Sequence, residues 1–275
     1  MGFINVIQYQ KPNSLLKSAR LLTVTLSLFC LSMTGSSFGQ KSWILNMPQY
    51  DQDLFHFGFV LGADLSYVTI RPIADLATHN FDSTYLPDIL PLPDSAKVLS
   101  IISNPSLGFV ISIVSDMRMG DNFNLRFIPS LSFGDRDIVY NIETFRKESV
   151  SMLVVTKRVP STYVNFPLEV KFKSDRYNNF RAYLMGGAQY TLDLASQAKK
   201  REQRNAAEKI VKFNANDVYI ETGVGFDFYN EWFKLSLELK MMYGLFDVLK
   251  RENNIYTNSI QSLKSKIFQF SVTFE

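Results

Sequence analysis

The chain has 275 residues, enough for one large domain or two small ones. Apolar residues make up 46% of it, yet its mean hydropathy is close to zero, which argues against a bundle of membrane helices and admits a structure in which polar and apolar residues alternate. The formal charge is +3, but the first 39 residues hold Lys11, Lys17 and Arg20 and no acid. The 29 basic residues less these three match the 26 acidic ones, and no basic footprint for nucleic acid remains.

The chain opens as a targeting segment. Lys11, Lys17 and Arg20 form a basic n-region, and Leu21 to Leu31 is an apolar run too short to cross a bilayer as a stable helix. Ser37 and Gly39 are the small residues of a cleavage site before Gln40, so residues 1–39 are expected to be a signal peptide. Cys30 is the only cysteine and lies within it, after Phe29 rather than a small residue, which speaks against a lipoprotein site. The processed chain then has no disulfide and no thiolate metal site. Residues 40–54 read as a periplasmic N-terminal linker.

From residue 55 to 275 a period of two dominates, the spacing at which a strand sends successive side chains to opposite faces. FHFGFVLGADL sets Phe55, Phe57, Phe59 and Leu61 against His56, Gly58, Gly62 and Asp64. Thr69 to Pro105 holds Pro72, Pro87, Pro91, Pro93 and Pro105, and reads as a long loop because proline removes ladder donors. LGFVISIVSDMR is a second strand and MGD a tight turn. NFNLRFIPSLSFG is a third, with Phe123, Leu125, Phe127, Leu131 and Phe133 on one face and Asn124, Arg126, Ser130 and Ser132 on the other; it runs on through DRDIVYNI.

A polar connection over Glu143 to Ser149 leads to YVNFPLEVKFK, where Val164, Phe166, Leu168, Val170 and Phe172 oppose Asn165, Glu169 and Lys171. SDRYNN turns the chain into RAYLMGGAQYTLDL. Ala195 to Lys212 is a polar, helix-prone loop. VYIETGVGFDFY, the turn NEW, FKLSLELKMMYG, another polar loop and KIFQFSVTFE complete the chain.

About eight strands with short turns alternating with long loops is the plan of an antiparallel, up-and-down transmembrane β-barrel, placed in the outer membrane of a Gram-negative bacterium. A soluble sandwich would bury its apolar face; here that face is expected to meet lipid and lipopolysaccharide. The inward set is then Asp64, Asp116, Arg118, Arg126, Glu169, Lys171, Arg181, Glu221, Asp227, Lys234, Glu238 and Lys240. Its signs balance. Charges held away from water must pair, and eight strands enclose a bore that side chains can fill, so this set is expected to be a structural charge network that plugs the lumen.

No catalytic, cofactor or metal site is predicted. Only His56 and His79 could serve as a base or ligand. His56 faces inward at the start of the first strand, and His79 lies in the first loop beside Asp82 and Ser83. The glycines of GVGFD and LMGGAQ lack the GKS/T of a phosphate loop. Lys199, Lys200, Arg201 and Arg204 read as a solvated loop face, and no small-molecule substrate is implied.

GFVISIVSDMRMGDNFNLRFIPSLSFGDRDIVY resembles the most recognisable block of PorT-type outer-membrane proteins of the Bacteroidota. HFGFVLG, FPLEVKFKSDRYNNFRAYLMGGAQYTLDLASQ and YIETGVGFDFYNEWFKLSLELK are similar as well, so the resemblance runs over roughly His56 to Phe246. It implies an outer-membrane accessory component of the type IX secretion system, which exports proteins bearing C-terminal sorting domains and on which gliding motility often depends. Other components of that system would be its partners, with no enzyme activity and no catalytic residues to carry over. Two other roles fit a small barrel: adhesion or envelope integrity, and lipid A modification through His56 or His79.

Overall fold

The computed structural model describes residues 45–86, 89, 92–147, 149–194 and 211–275. The signal peptide expected over residues 1–39 and the basic run Lys199, Lys200, Arg201 and Arg204 lie outside the described residues.

One antiparallel sheet is built from β1 (Phe55–Pro72), β2 (Phe81–Asp82), β3 (Ser95–Asn104), β4 (Ser106–Arg118), β5 (Phe123–Phe127), β6 (Ser130–Arg146), β7 (Ser149–Lys173), β8 (Phe180–Asp193), β9 (Asn216–Tyr229), β10 (Lys234–Gly244) and β11 (Ile260–Phe274). β1 pairs with β11 on one side and with β4 on the other, which closes the sheet into a barrel.

The eleven segments form eight rows around that barrel. β4 and β3 lie end to end along β6, interrupted at Pro105. β5 and β6 lie end to end along β7, interrupted at Ile128–Pro129. β2 pairs only with β3, at the rim. The second break has a local cause: the gap falls opposite Phe166–Pro167, so Pro129 and Pro167 each withhold a ladder donor at one level. Ile128 N–H still donates to Pro167 O at 3.3 Å.

The stretch from residue 69 to 105 is thus less of a loop than its prolines suggest. β1 continues to Pro72, and Ser95–Asn104 is a strand, because the prolines between them cluster ahead of a run of β-branched residues. The expected polar connection over Glu143 to Ser149 is instead a tight hairpin between β6 and β7.

Connections at one end are short, over residues 119–122, 174–179 and 230–233; Asn178 takes the left-handed conformation that asparagine tolerates (φ 54). By the rule for outer-membrane barrels this is the periplasmic end. Phe123 packs on Phe172, Phe180 on Phe228 and Phe233 on Phe274, an aromatic girdle at that rim.

Above the girdle the outer wall is apolar and open: Phe57 is 68% exposed, Phe59 66%, Leu107 76% and Ile113 56%. Exposed phenylalanine outside and buried charge inside is the arrangement that hydrocarbon requires and water forbids.

The other end is closed by a second, apolar core. Inward residues above Arg136 are Ile138, Tyr140 and Ile142 from β6, Ala96 and Val98 from β3, and Val68 from β1. Phe81 and Leu86, Phe213, Val248 and Leu249, and Ile255 and Tyr256 of the short helix α1 (Ile255–Asn258) fold down onto them. α1 is capped by Asn254, whose side chain accepts from Thr257 N–H at 2.9 Å. Each such buried aliphatic side chain contributes roughly 1.5–3 kcal/mol relative to exposure. The connecting segments of this end therefore act as core as well as surface.

Candidate functional site

The period of two in β4 to β11 carries Asp116, Arg126, Glu169, Lys171, Asp227, Glu238 and Lys240 into the bore, where each is at most 7% exposed. Arg126 is the hub. Its guanidinium reaches Glu238 at 2.8 Å, Glu169 at 3.5 Å and Asp116 at 3.9 Å. Lys240 bridges Glu169 and Glu238, and Asn124 donates to Asp116 at 2.5 Å. Lys171 pairs with Asp227 at 2.9 Å and lies 3.6 Å from the centre of the Tyr183 ring, whose hydroxyl donates to Glu238 at 2.7 Å. Gly225 lies opposite both Tyr183 and Glu238 in the ladders, and a β-carbon there would overlap the tyrosine ring. One glycine of GVGFD thus makes room for an aromatic ring.

Beneath this layer the segment over residues 45–54, read as a linker, docks across the barrel floor. Arg181 grips Asp51 through two hydrogen bonds of 2.7 and 3.0 Å. Asn46 donates to Tyr229 O at 3.0 Å, and Arg176 donates to the Asn46 and Met47 carbonyls. The Tyr50 ring stacks on His56 at 3.9 Å and its hydroxyl donates to Glu275 at 3.1 Å, while Glu275 pairs with Lys234. Burial pushes the Tyr50 phenol well above its ordinary range, against the pull of Lys234. Burial also raises the Asp51 carboxyl, but its hydrogen bonds and charge attraction to Arg181 outweigh this and hold it below the usual value. A cavity of about 10 Å³ remains beside Tyr50 and His56, the space of a single water.

Nine of the twelve charges expected inside make ion pairs there, with Glu275 and Asp51 as added partners. Asp64 is buried and accepts from Ser132 at 2.9 Å, and Glu221 is buried with no hydrogen bond to Oε1 among the described residues. Arg118 stands apart. Its side chain, 32% exposed, turns to Asp121 at 2.6 Å, because the strand ends there and the adjoining turn sets an exposed carboxylate three residues on.

Sequence reasoning passes over Arg136, Tyr183 and Glu275. Arg136 donates to the Tyr219 hydroxyl at 3.1 Å and lies over the Tyr163 and Phe213 rings, a cation at the border between the ionic and apolar tiers. Both charges had a legible signal: Arg136 shares the parity of Ser130 and Ser132, and Glu275 that of Ser271 and Thr273. His56 has Nε2 2.7 Å from Tyr50 O, and His79 meets Phe81 edge-on. No group of three or more His, Cys, Asp or Glu that could hold a metal ion occurs among the described residues.

A closed antiparallel barrel, apolar outside and ion-paired within, defines an integral protein of the outer-membrane type. The model of the outer membrane protein beta-barrel domain family matches residues 55–250, and the chain belongs to that family. No curated protein sequence matches the chain. Similar solved structures include Neisserial surface protein A (TM-score 0.37, 11% identity, 80% of this chain and 98% of that one). OprG from Pseudomonas aeruginosa is similar too (0.35, 12%, 79% and 92%), as is the outer membrane protease OmpT from Escherichia coli (0.34, 9%, 81% and 95%). Likeness this distant carries nothing about what this chain does.

Proposed function

We propose that this barrel is an accessory component required for type IX secretion of proteins with C-terminal sorting domains, and for gliding motility where motility depends on that system. It acts through its surfaces rather than as a pore, and not as an enzyme. The PorT-like blocks between His56 and Phe246 support the choice of system, and membership of the outer-membrane barrel family supports the placement.

The observation that carries the surface role is the filled bore. The docked segment over residues 45–54, the layer around Arg126 and the apolar tier around Tyr140 succeed one another along the axis. A charged group without its counter-ion costs several kcal/mol in such a place, so a cargo chain gains nothing by entering. Both histidine rings are engaged by aromatic neighbours, which fits a scaffold better than lipid A chemistry.

The partners in this reading are outer-membrane lipid, lipopolysaccharide and other components of the secretion machine. Deleting the gene tests it: sorting-domain cargo should disappear from the medium and accumulate inside the cell. Cargo released at the normal level would refute the role. Purified protein in planar bilayers should show no steady conductance; reproducible channel currents would refute the surface mechanism.

A further inference from the structure

The outer face turns from apolar to charged toward the extracellular end, and two sides of the barrel do so differently. At about 3.3 Å per residue and the usual tilt of roughly 40°, the ten residues of β7 from Phe172 to Thr162 climb about 25 Å, the height of the apolar band. An ionic belt of Asp135, Asp137 and Arg158 follows. Its signs are mixed, and Arg158 and Asp137 pair at 3.0 Å, as groups at a water interface do.

On β1 and β11 this level presents three cations. Even residues of β11 face outward, as the exposed Phe268, Phe270 and Phe274 do, and so do odd residues of β1 such as Phe59 and Leu65. Lys264 and Lys266 share the parity of the first set and Arg71 that of the second. Counted from Phe274 in the lower girdle, Lys266 stands about 20 Å and Lys264 about 25 Å higher. Thr69 lies opposite Lys264 and Arg71 opposite Ser262, so Arg71 is the diagonal neighbour of Lys264, about 7–8 Å away.

Aromatic rings hold both lysines against the wall. Lys266 Nζ lies 5.7 Å from the centre of the Tyr67 ring and 5.3 Å from that of Phe268, and Lys264 Nζ lies 5.6 Å from that of Tyr243. The stems follow apolar surface and the ammonium groups sit at its edge, the posture of lysine at a membrane surface. Among the described residues, none of the three cations makes an ion pair. Asp247, whose carboxylate accepts from Leu263 N–H in the same strand, is already held by Arg251 at 2.7 Å.

Below the lysines the wall carries an apolar groove of about 670 Å³, whose lining includes Ala63, Leu65, Leu239, Met241, Phe268 and Phe270. Phe268 and Phe270 are the next two outward residues of β11 after Lys266, so the groove begins where the cations end. Unmatched cations at headgroup level, continuous with an apolar groove at hydrocarbon depth, complement a molecule that is anionic at one end and acyl at the other. The short turns of the opposite end place this site in the outer leaflet.

We infer that Arg71, Lys264 and Lys266, with the groove beneath them, bind lipopolysaccharide: the cations take the phosphate of its lipid anchor and the groove takes acyl chains. An acidic segment of a soluble partner would match the cations but not a groove that lies within hydrocarbon. A second copy would bring the same three cations to a two-fold contact, where they repel. The inference rests on the outer-membrane placement and not on the secretion role, so cargo export and lipid binding can fail separately.

Native mass spectrometry of the full processed chain in a non-ionic detergent tests it. The probes are purified lipopolysaccharide, the same lipopolysaccharide treated with phosphatase, and phosphatidylglycerol. Intact lipopolysaccharide should half-saturate the protein at a concentration at least ten-fold lower than either of the others. Lys264→Gln with Lys266→Gln should raise that concentration at least ten-fold. Lys97→Gln with Arg158→Gln removes the same charge elsewhere and should leave it unchanged. A photo-crosslinker at Leu65 should capture the bound lipopolysaccharide.

Equal binding of intact and phosphatase-treated lipopolysaccharide overturns the inference, since the cations would then select nothing. Phosphatidylglycerol bound as tightly also overturns it, because any anionic lipid would then serve. Equal losses in the two double variants overturn it, as does a Leu65 crosslink to a polypeptide in native outer-membrane vesicles. The comparison of the three probes on the wild type decides the question even where a variant does not fold.

Discussion

Removing Arg126 would leave Glu238 and Glu169 to share the one cation of Lys240, and Asp116 with none, in a layer with almost no access to water. An unpaired charge in such a place costs more than the lost contact, so Arg126→Met is expected to lower the unfolding free energy by about 3–5 kcal/mol. Arg158 makes a bond of similar length to Asp137, but in solvent, and Arg158→Ala should cost far less than Arg126→Met. Urea titration of both variants in one detergent checks the contrast; equal losses would mean that the interior layer is wet. Gly225→Ala crowds the Tyr183 ring and should cost about 1–3 kcal/mol through displacement of the tyrosine from Glu238.

The segment over residues 45–54 is the element whose attachment depends on pH. Asp51 is held below its ordinary carboxyl value in the folded state, so its ion pair with Arg181 stabilises the docked form above the unfolded value near 4. That contribution is lost as pH falls through the lower, folded value. Protease cleavage within 45–54 should therefore be slow at neutral pH and quicken below about pH 4, while Asp51→Asn should be cleaved faster at neutral pH and show a flatter profile. An unchanged profile in the variant would place the pH response elsewhere.

For the whole molecule the question is where the bilayer stops. Leu168 lies on the lipid face near the middle of the band, and Val154 lies on the same face of the same strand beyond the ionic belt. Leu168→Arg should cost about 2–4 kcal/mol, the depth-dependent cost of a cation against hydrocarbon, and Val154→Arg about 0–1 kcal/mol. Equal costs on reversible unfolding in liposomes would mean that the apolar band extends to the top of β7.

Local pattern was enough for the wall and for the lower tier. A period of two assigns each residue to a face whatever its neighbours are, so the outward phenylalanines and the inward Arg126, Glu169 and Glu238 were readable from Phe123–Phe127, Val164–Phe172 and Phe233–Leu239 alone. Partners were not readable. Arg126 and Glu238 are 112 residues apart, Arg181 and Asp51 130, and only closure of β1 onto β4 and β11 brings such distant rows into one bore. The apolar upper tier was likewise hidden. It depends on where neighbouring rows end and which segments fold back over them, and chain length and composition do not encode those boundaries in any local spacing.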